Sequence, residues 1–347
     1  MKSTRAVLIE RLGPPEVLVE REVPLRDPGA GEVHLRIDAA GVNFADLIMR
    51  LGMYGTVPPR PYSPGFEVAG QIVRVGEDVP GWREGDRAAA LLRYGGYAHD
   101  VIVEADQLFP YPPSFTPAVA AGIPVVFLTG WVCLFEAARS RAGETALILG
   151  AGGGVGTAAV QLALRNGLRV IGTAGSEAKR AFVTNELGAE ACFDSRGNWE
   201  PQVRGHLDGR GIDVALDPVG GKATAACQRL LAPLGRLVFY GMSAAVPQQK
   251  RNWPRAVYAW LRTPRFHPIK LVEPNMGLFG VHLLHLGAKT KTILGPALDE
   301  IYRAVDGKEL RLVADRTFSL DREGAVEAHQ YLHDRKNLGK VVLVRSS

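Results

Sequence analysis

The sequence predicts an α/β protein of two parts: a doubly wound, six-stranded parallel sheet and a β-rich domain of barrel type. Three observations carry this. The apolar run Thr145 to Leu149 passes into five glycines within seven residues, Gly150 to Gly156, and then into small and aliphatic residues at helical spacing, the pattern of a buried strand, a tight turn and a helix start. Leu168 to Ala174 follows as a second strand, which closes a βαβ unit of about thirty residues. The first 120 residues, rich in Gly and Pro, hold only short β-like runs, whereas the central third alternates strand-like and helix-like segments.

The elements then follow in order. Strands are expected at Ala6–Ile9, Glu32–Ala39, Glu67–Val75, Arg87–Leu92 and His99–Val103. After the βαβ unit, Ser176 to Leu187 reads as a helix with Ser176 as its cap. Strand-like runs at Ala191–Phe193, Asp213–Leu216, Arg236–Tyr240 and Leu278–Leu283 complete the six. The tail offers the helices Gly295–Asp306 and Arg322–His333 and the strand Lys340–Val344. With no partner sheet of its own, it is expected to fold back onto the first domain. The boundaries are therefore 1–124 with 289–347 for one domain and 125–288 for the other, with an insert at 244–276. No internal repeat is visible.

Composition bounds the class. The chain has 347 residues, 46% hydrophobic and 22% charged, as in ordinary soluble globular proteins. The first residues read as no signal peptide, and no apolar run reads as reaching the roughly 18 residues that span a bilayer. Cys133, Cys192 and Cys227 are too far apart for a CxxC site. These readings predict a cytoplasmic protein without disulfides. The net charge of +5 is mild; it suits an anionic small ligand and gives no reason to expect nucleic acid.

The Gly-rich turn is read in the register A-x-G-x-x-G: Ala151, Gly153 and Gly156. Alone it is equally a flexible loop. Between a strand and a helix it is a dinucleotide site, because glycines let the backbone approach a pyrophosphate whose charge the helix start favours. There is no GxxxxGK[ST] run, GxSxG elbow or HExxH, so nothing supports nucleotide hydrolysis or other hydrolytic chemistry. An NAD site usually carries an acid at the end of the second strand. Here that strand ends Thr173-Ala174-Gly175-Ser176, and Glu177 falls in the next helical turn. Lys179 points back toward the turn, either to meet a 2′-phosphate or as a solvated surface lysine. Arg335 is either a further charge or an exposed helix-end cation.

The chain resembles the medium-chain dehydrogenase/reductase superfamily, in its zinc-free quinone oxidoreductase (zeta-crystallin-like) branch. The matching stretches are A-G-V-N-F-A-D at 40–46, L-G-M-Y-G at 51–55, P-G-F-E-V-A-G-Q-I-V-R-V-G at 64–76, G-D-R at 85–87, G-G-Y-A at 95–98, the Gly-rich turn, G-T-A-G-S at 172–176 and N-L-G-K-V-V-L-V at 337–344. Y-G-M at 240–242 and the insert after it are similar to the vesicle amine transport protein-like subgroup. The resemblance implies a GroES-like catalytic domain split around a Rossmann domain, NADPH as cofactor and a homodimer. It implies cofactor contacts at Tyr54, Thr129, Gly152, Gly153, Gly154, Val155, Gly175, Ser176, Lys179 and Ser195, where relatives often have tyrosine. It extends them to Tyr240, Gly241, Met242, Ser243, Val281, His282 and Asn337.

Where the zinc-dependent branch has Cys and His ligands, this chain has Asn43 and Phe66, and the four-cysteine lobe is missing; no metal is expected. His282 and His285, read as three apart on a strand, would face opposite ways. In a zinc-free site, hydrogen-bond donors must stabilise the oxyanion that hydride transfer creates. Asn43 and Tyr54 are the catalytic candidates, Tyr54 being alternatively an aromatic packed on a Pro-rich loop. Asp46 and Glu67 are expected to form ion pairs that hold the cleft. The substrate expected is a small-molecule electrophile, a quinone or an α,β-unsaturated carbonyl. The insert carries Lys250, Arg251, Arg255, Arg262, Arg265 and Lys270 against Glu273, interleaved with Trp253, Tyr258, Trp260 and Phe266. It is either a solvated lid or dimer contact, or a basic amphipathic surface for an anionic membrane or a partner. The latter fits an alternative role, an NADPH-binding adaptor with incidental turnover.

Overall fold

The computed structural model describes residues 2–55, 57–246, 253–286 and 290–346, without the side chains of residues 253, 255, 256, 290 and 291. Lys250 and Arg251 of the insert, and the side chains of Trp253 and Arg255, lie outside the described residues. The described chain divides into two compact units, 2–125 with 290–346, and 126–246 with 253–286.

The first unit opens with an antiparallel ribbon of β1 (Lys2–Ile9) and β2 (Leu18–Leu25); β2 falls in a stretch not expected to be a strand. β3 (Glu32–Val42) is the longest strand here, and its inward residues Val33, Leu35, Ile37 and Ala39 are all fully buried. That alternation follows from the period of two along a half-buried strand. α1 (Phe44–Arg50) starts directly after β3. β4 (Glu67–Val75), β5 (Arg87–Leu91), β6 (Asp100–Glu104) and β7 (Leu108–Pro110) follow. A Cβ on Gly70 would stand 1.8 Å from Arg36 O, so β3 and β4 can approach only with glycine at this position.

α2 (Pro117–Gly122) and α3 (Pro124–Trp131) come next, and here a sequence expectation fails. Pro117–Ala137 is a helical run of 21 residues with mean hydropathy 2.1, long and apolar enough to cross a membrane. The apolar length has another use: 72% of it is buried within the fold, and Ala120, Ile123, Phe127, Leu128 and Leu134 are core residues.

The second unit alternates β8 (Thr145–Leu149), α4 (Gly154–Arg165), β9 (Arg169–Ala174), α5 (Glu177–Ala181), β10 (Ala191–Asp194), α6 (Trp199–His206), β11 (Ile212–Asp217), α7 (Lys222–Leu230) and β12 (Leu231–Phe239). The short helices α8 (Trp253–Arg262) and α9 (Ile269–Val272) precede β13 (Gly277–Gly280). Among the described residues the sheet has six parallel strands in the order β10-β9-β8-β11-β12-β13. Leu147, Leu149, Ile171, Val203, Ile212, Leu230 and Leu237 pack its core, each worth about 1.5–3 kcal/mol once removed from water. The order reverses between β8 and β11, and ligands of such sheets bind at that switch point, beyond the carboxyl ends of the strands. The last strand is shorter than the expected Leu278–Leu283, because Leu283–His285 turns into a 3₁₀ helix.

The tail contributes α10 (Gly295–Asp306), β14 (Arg316–Ser319), α11 (Arg322–His333) and β15 (Val341–Val344). β15 pairs antiparallel with β3, Val341 opposite Val42. β14, which the sequence did not suggest, adds to β15 in parallel. Among the described residues the first unit's main sheet runs β14-β15-β3-β4-β5-β7, with β6 also on β3.

Candidate active site

Two ladders flank β3 and set the chemistry at its end. Continuing the β15 register by one step puts Lys340 beside Asn43, and the β4 register puts Glu67 beside Gly41. Glu67 lies flat across that glycine: a Cβ on Gly41 would stand 2.4 Å from Glu67 Oε1. Lys340 and Glu67, 2% and 0% exposed, form a buried ion pair. Val125 N–H donates to Glu67 Oε2 at 2.7 Å. Lys340 Nζ donates to Asn43 Oδ1 at 2.6 Å, and Asn43 Nδ2 donates to Glu67 Oε1 at 2.9 Å. Breaking a buried pair by removing one partner costs about 3–5 kcal/mol. Lys340 is the member of this cluster that the sequence reading missed; the only signal was its place in N-L-G-K, and Glu67 is some 270 residues away.

Glu67 therefore forms the expected ion pair, but Asp46 does not. Asp46 is fully buried and accepts three hydrogen bonds, from Asn43 N–H at 2.7 Å, Gly65 N–H at 3.1 Å and Tyr97 OH at 3.1 Å. Burial pushes its carboxyl up to about 7, against the pull of these donors. Behind it runs a buried string. Arg50 Nε donates to His329 Nδ1 at 3.1 Å, His329 Nε2 lies 3.2 Å from Tyr97 OH, and Arg50 also meets His333 Nε2 and donates to Gly13 O at 2.7 Å. Arginine only donates, so His329 Nδ1 accepts and its Nε2–H points at Tyr97, whose own proton goes to Asp46. The positive charge of Arg50 thus reaches the carboxylate through two neutral donors rather than by contact.

Tyr54 is half-buried beside Phe66, with ring centroids 5.6 Å apart. Burial, reinforced by the charge of Asp46, pushes its phenol up to about 12. Asn337 Nδ2 donates to Gly339 O at 2.7 Å and so braces the turn that delivers Lys340.

The second unit gathers the remaining predicted residues at the carboxyl end of its sheet. Gly153 caps α4, and the left-handed residue of the turn is Gly150 (φ 66°), not the Ala151 that replaces the first glycine of the fingerprint. Alanine is therefore accommodated, and its methyl fills the space that Gly172 leaves open. A Cβ on Gly156 would stand 2.2 Å from Gly150 O, so only glycine lets the helix start so close to the strand. Thr129 is buried in α3, whose Gly130 packs on Ala159 of α4. The stem of Lys179 lies against Gly152, its Cδ 3.1 Å from where a Cβ would be. Ser176 Oγ accepts from Lys179 N–H. Ser195 Oγ and Arg196 Nε flank Gly175, at 3.5 and 3.3 Å from its Cβ position.

Arg196 is a second missed residue, next in sequence to a predicted one, and its guanidinium has no carboxylate partner among the described residues. Asp194, two residues before it, faces Arg180 at 3.6 Å and accepts from Arg196 N–H. Asp217, fully buried, accepts from Val219, Gly220 and Thr224 and fixes the loop after β11. Ser243 N–H bonds Pro218 O, which ties Tyr240, Gly241, Met242 and Ser243 to that loop; Val281 N–H bonds Phe239 O and brings His282 to the same edge. Asn43, Tyr54 and Asn337 belong to the first unit and the other candidates to the second.

His282 and His285 correct the strand argument. Because the chain turns into a 3₁₀ helix there, their rings stack at 3.8 Å instead of facing apart. Two imidazoles remain short of a zinc site, and among the described residues no group of three or more His, Cys, Asp or Glu could hold a metal. At the zinc-ligand positions stand an amide engaged on both sides and Phe66, 2% exposed. This donor set does not fit zinc.

Comparisons with known proteins agree with this architecture. The alcohol dehydrogenase GroES-like domain model matches residues 29–113 and the zinc-binding dehydrogenase model matches residues 154–261. The chain is 32% identical over 345 residues to the human synaptic vesicle membrane protein VAT-1 homolog-like, covering 98% of this chain and 80% of that protein. It is 33% identical over 348 residues to rat quinone oxidoreductase, covering 99% and 98%. The structure of mycobacterial Rv1454c complexed with NADPH superposes with a TM-score of 0.84 at 28% identity, covering 99% of this chain and 100% of that one.

Proposed function

The chain belongs to the medium-chain dehydrogenase/reductase superfamily and is an oxidoreductase, and on that premise we propose that it passes a hydride from NADPH to a quinone or an α,β-unsaturated carbonyl without zinc. The observation that carries this reading is Asn43, a half-buried amide donor on a buried charged base where the zinc-dependent branch has a metal ligand. When bound, the cofactor supplies the hydride. The turn Gly150–Gly156 offers its backbone to a pyrophosphate. Lys179, Ser176 and Ser195, with Arg196, stand where an NAD site would carry an acid, which suits a 2′-phosphate.

Hydride addition at the β-carbon of an enone drives the π electrons onto the carbonyl oxygen. Asn43 donates to that oxygen, and one such donor is worth about 3 kcal/mol in the transition state. Tyr54 stays protonated at every working pH and holds a proton at Oη for the resulting enolate. A conjugated acceptor spreads the charge, so it needs less polarisation than a simple aldehyde. The test is NADPH oxidation across a panel of quinones and enones. Turnover of at least one class is expected; tight NADPH binding with no acceptor reduced would overturn the reading.

A second reading, an NADPH-binding adaptor that docks on anionic membrane, is favoured by one observation. α8 and α9 expose Tyr258, Trp260 (58%), Leu261 (60%) and Val272 beside Arg262, Arg265 and Lys270. Sedimentation with phosphatidylserine vesicles tests it: equal partition of the protein with and without residues 253–272 rejects it. We assign the protein to the cytoplasm on the same footing, to be checked by fractionation.

A further inference from the structure

We propose that Lys340 and Glu67 are positioning residues that lock the Asn43 amide with one Nδ2–H turned outward to the substrate oxygen; the inference rests on the reductase reading and deepens it. The orientation of an asparagine amide follows from its partners. An ammonium only donates and a carboxylate only accepts, so the atom 2.6 Å from Lys340 Nζ is the amide oxygen and the atom 2.9 Å from Glu67 Oε1 is the amide nitrogen. Reversing the amide would set like against like on both sides. The nitrogen's second hydrogen meets no acceptor among the described residues, and Asn43 alone of the three is only half-buried. The cluster therefore opens to solvent at one donor.

Three further contacts make the lock rigid. Asp46 Oδ2 accepts the Asn43 backbone N–H at 2.7 Å, Val125 N–H holds Glu67 Oε2 at 2.7 Å, and the Asn337 brace fixes the turn before Lys340. An unheld amide would turn its oxygen outward part of the time and repel a developing oxyanion. The bond from Lys340 to Oδ1 also draws electron density from the amide, which strengthens the outward N–H as a donor.

The experiment measures turnover of an acceptor that the wild type reduces, NADPH affinity by fluorescence titration, and thermal midpoint. Lys340→Met is expected to lower kcat by about 10²–10³, the usual effect of losing an oxyanion donor, with NADPH affinity unchanged. Lys340→Arg still donates to the amide oxygen and is expected to recover most of that loss. Because Lys340→Met leaves Glu67 buried without its cation, a second variant separates catalysis from folding. The pair Asn43→Asp with Glu67→Gln moves the carboxylate partner of Lys340 to residue 43, keeps net charge and leaves no outward N–H. The introduced glutamine keeps one oxygen for Val125 N–H and gives up the acceptor that Lys340 uses at Glu67 Oε1. A cooperative unfolding transition and wild-type NADPH affinity with kcat down by about 10²–10³ is the expected result. A folded double variant, or folded Lys340→Met, turning over at the wild-type rate overturns the inference alone. A wild type that reduces no quinone or enone overturns the functional reading beneath it.

Discussion

On the proposed reading, Arg196 and Lys179 are the side chains on which cofactor choice turns. Both approach glycines, Gly175 and Gly152, and no acid stands at the end of β9 to bond a 2′-hydroxyl. A hydrogen bond to a charged group is worth about 1.5–3 kcal/mol, or roughly 10- to 100-fold in affinity. Arg196→Ala and Lys179→Ala should each weaken NADPH binding by that factor and leave NADH binding unchanged, as read by fluorescence titration. An equal loss for both cofactors would show that the residue shapes the turn and does not read the phosphate. Gly41 makes a different prediction. Its missing Cβ leaves room for the Glu67 carboxylate, so Gly41→Ala should cost about 1–3 kcal/mol of stability in denaturant unfolding.

Helices α1 and α11 are joined by a buried polar string, which gives the first unit a pH signature. Burial, with Arg50 adjacent, lowers His333 to about 4 and His329 well below its usual value. An unfolded histidine titrates near 6.5, so between about 6.5 and 4 the unfolded chain binds protons that the fold refuses. The stability these histidines contribute is complete above about 6.5 and is lost as pH falls toward 4. Asp46 acts in the opposite sense: its carboxyl is raised to about 7, so its contribution is present at low pH and lost as pH rises through 7. His333→Gln, whose side-chain oxygen can still accept from Arg50, should shrink the loss between pH 7 and 4.5 in denaturant unfolding. An unchanged acid slope would assign the loss elsewhere.

For the assembly, we propose a homodimer formed through β13. Among the described residues it is an edge of the six-stranded sheet, and it carries Phe279 at 42% exposure. Unpaired strand edges invite pairing with another copy. Light scattering after size exclusion should give twice the chain mass, and Phe279→Glu should shift it toward the monomer. A wild-type monomer at micromolar concentration would reject the proposal. Much of the architecture was legible beforehand: the parallel sheet and the helices Gly295–Asp306 and Arg322–His333 all leave periodic or Gly-rich traces. β7 and β14 left none, because strands of three and four residues bury too few side chains to show a period, and β2, though eight residues long, fully buries only Leu18.

The sequence by itself determined the Gly-rich turn between strand and helix, the absence of an acid at the end of β9 and the asparagine at position 43, since each depends on residue type within a short stretch. It could not show that Asp46 would be held by hydrogen bonds in place of an ion pair, that His282 and His285 would stack, or that Lys340 would meet Asn43. Those facts depend on where a strand ends and on which strands pair. Pairing register is a long-range property, settled by packing both faces of β3 at once, and it brings Lys340 to Asn43 across nearly the whole chain.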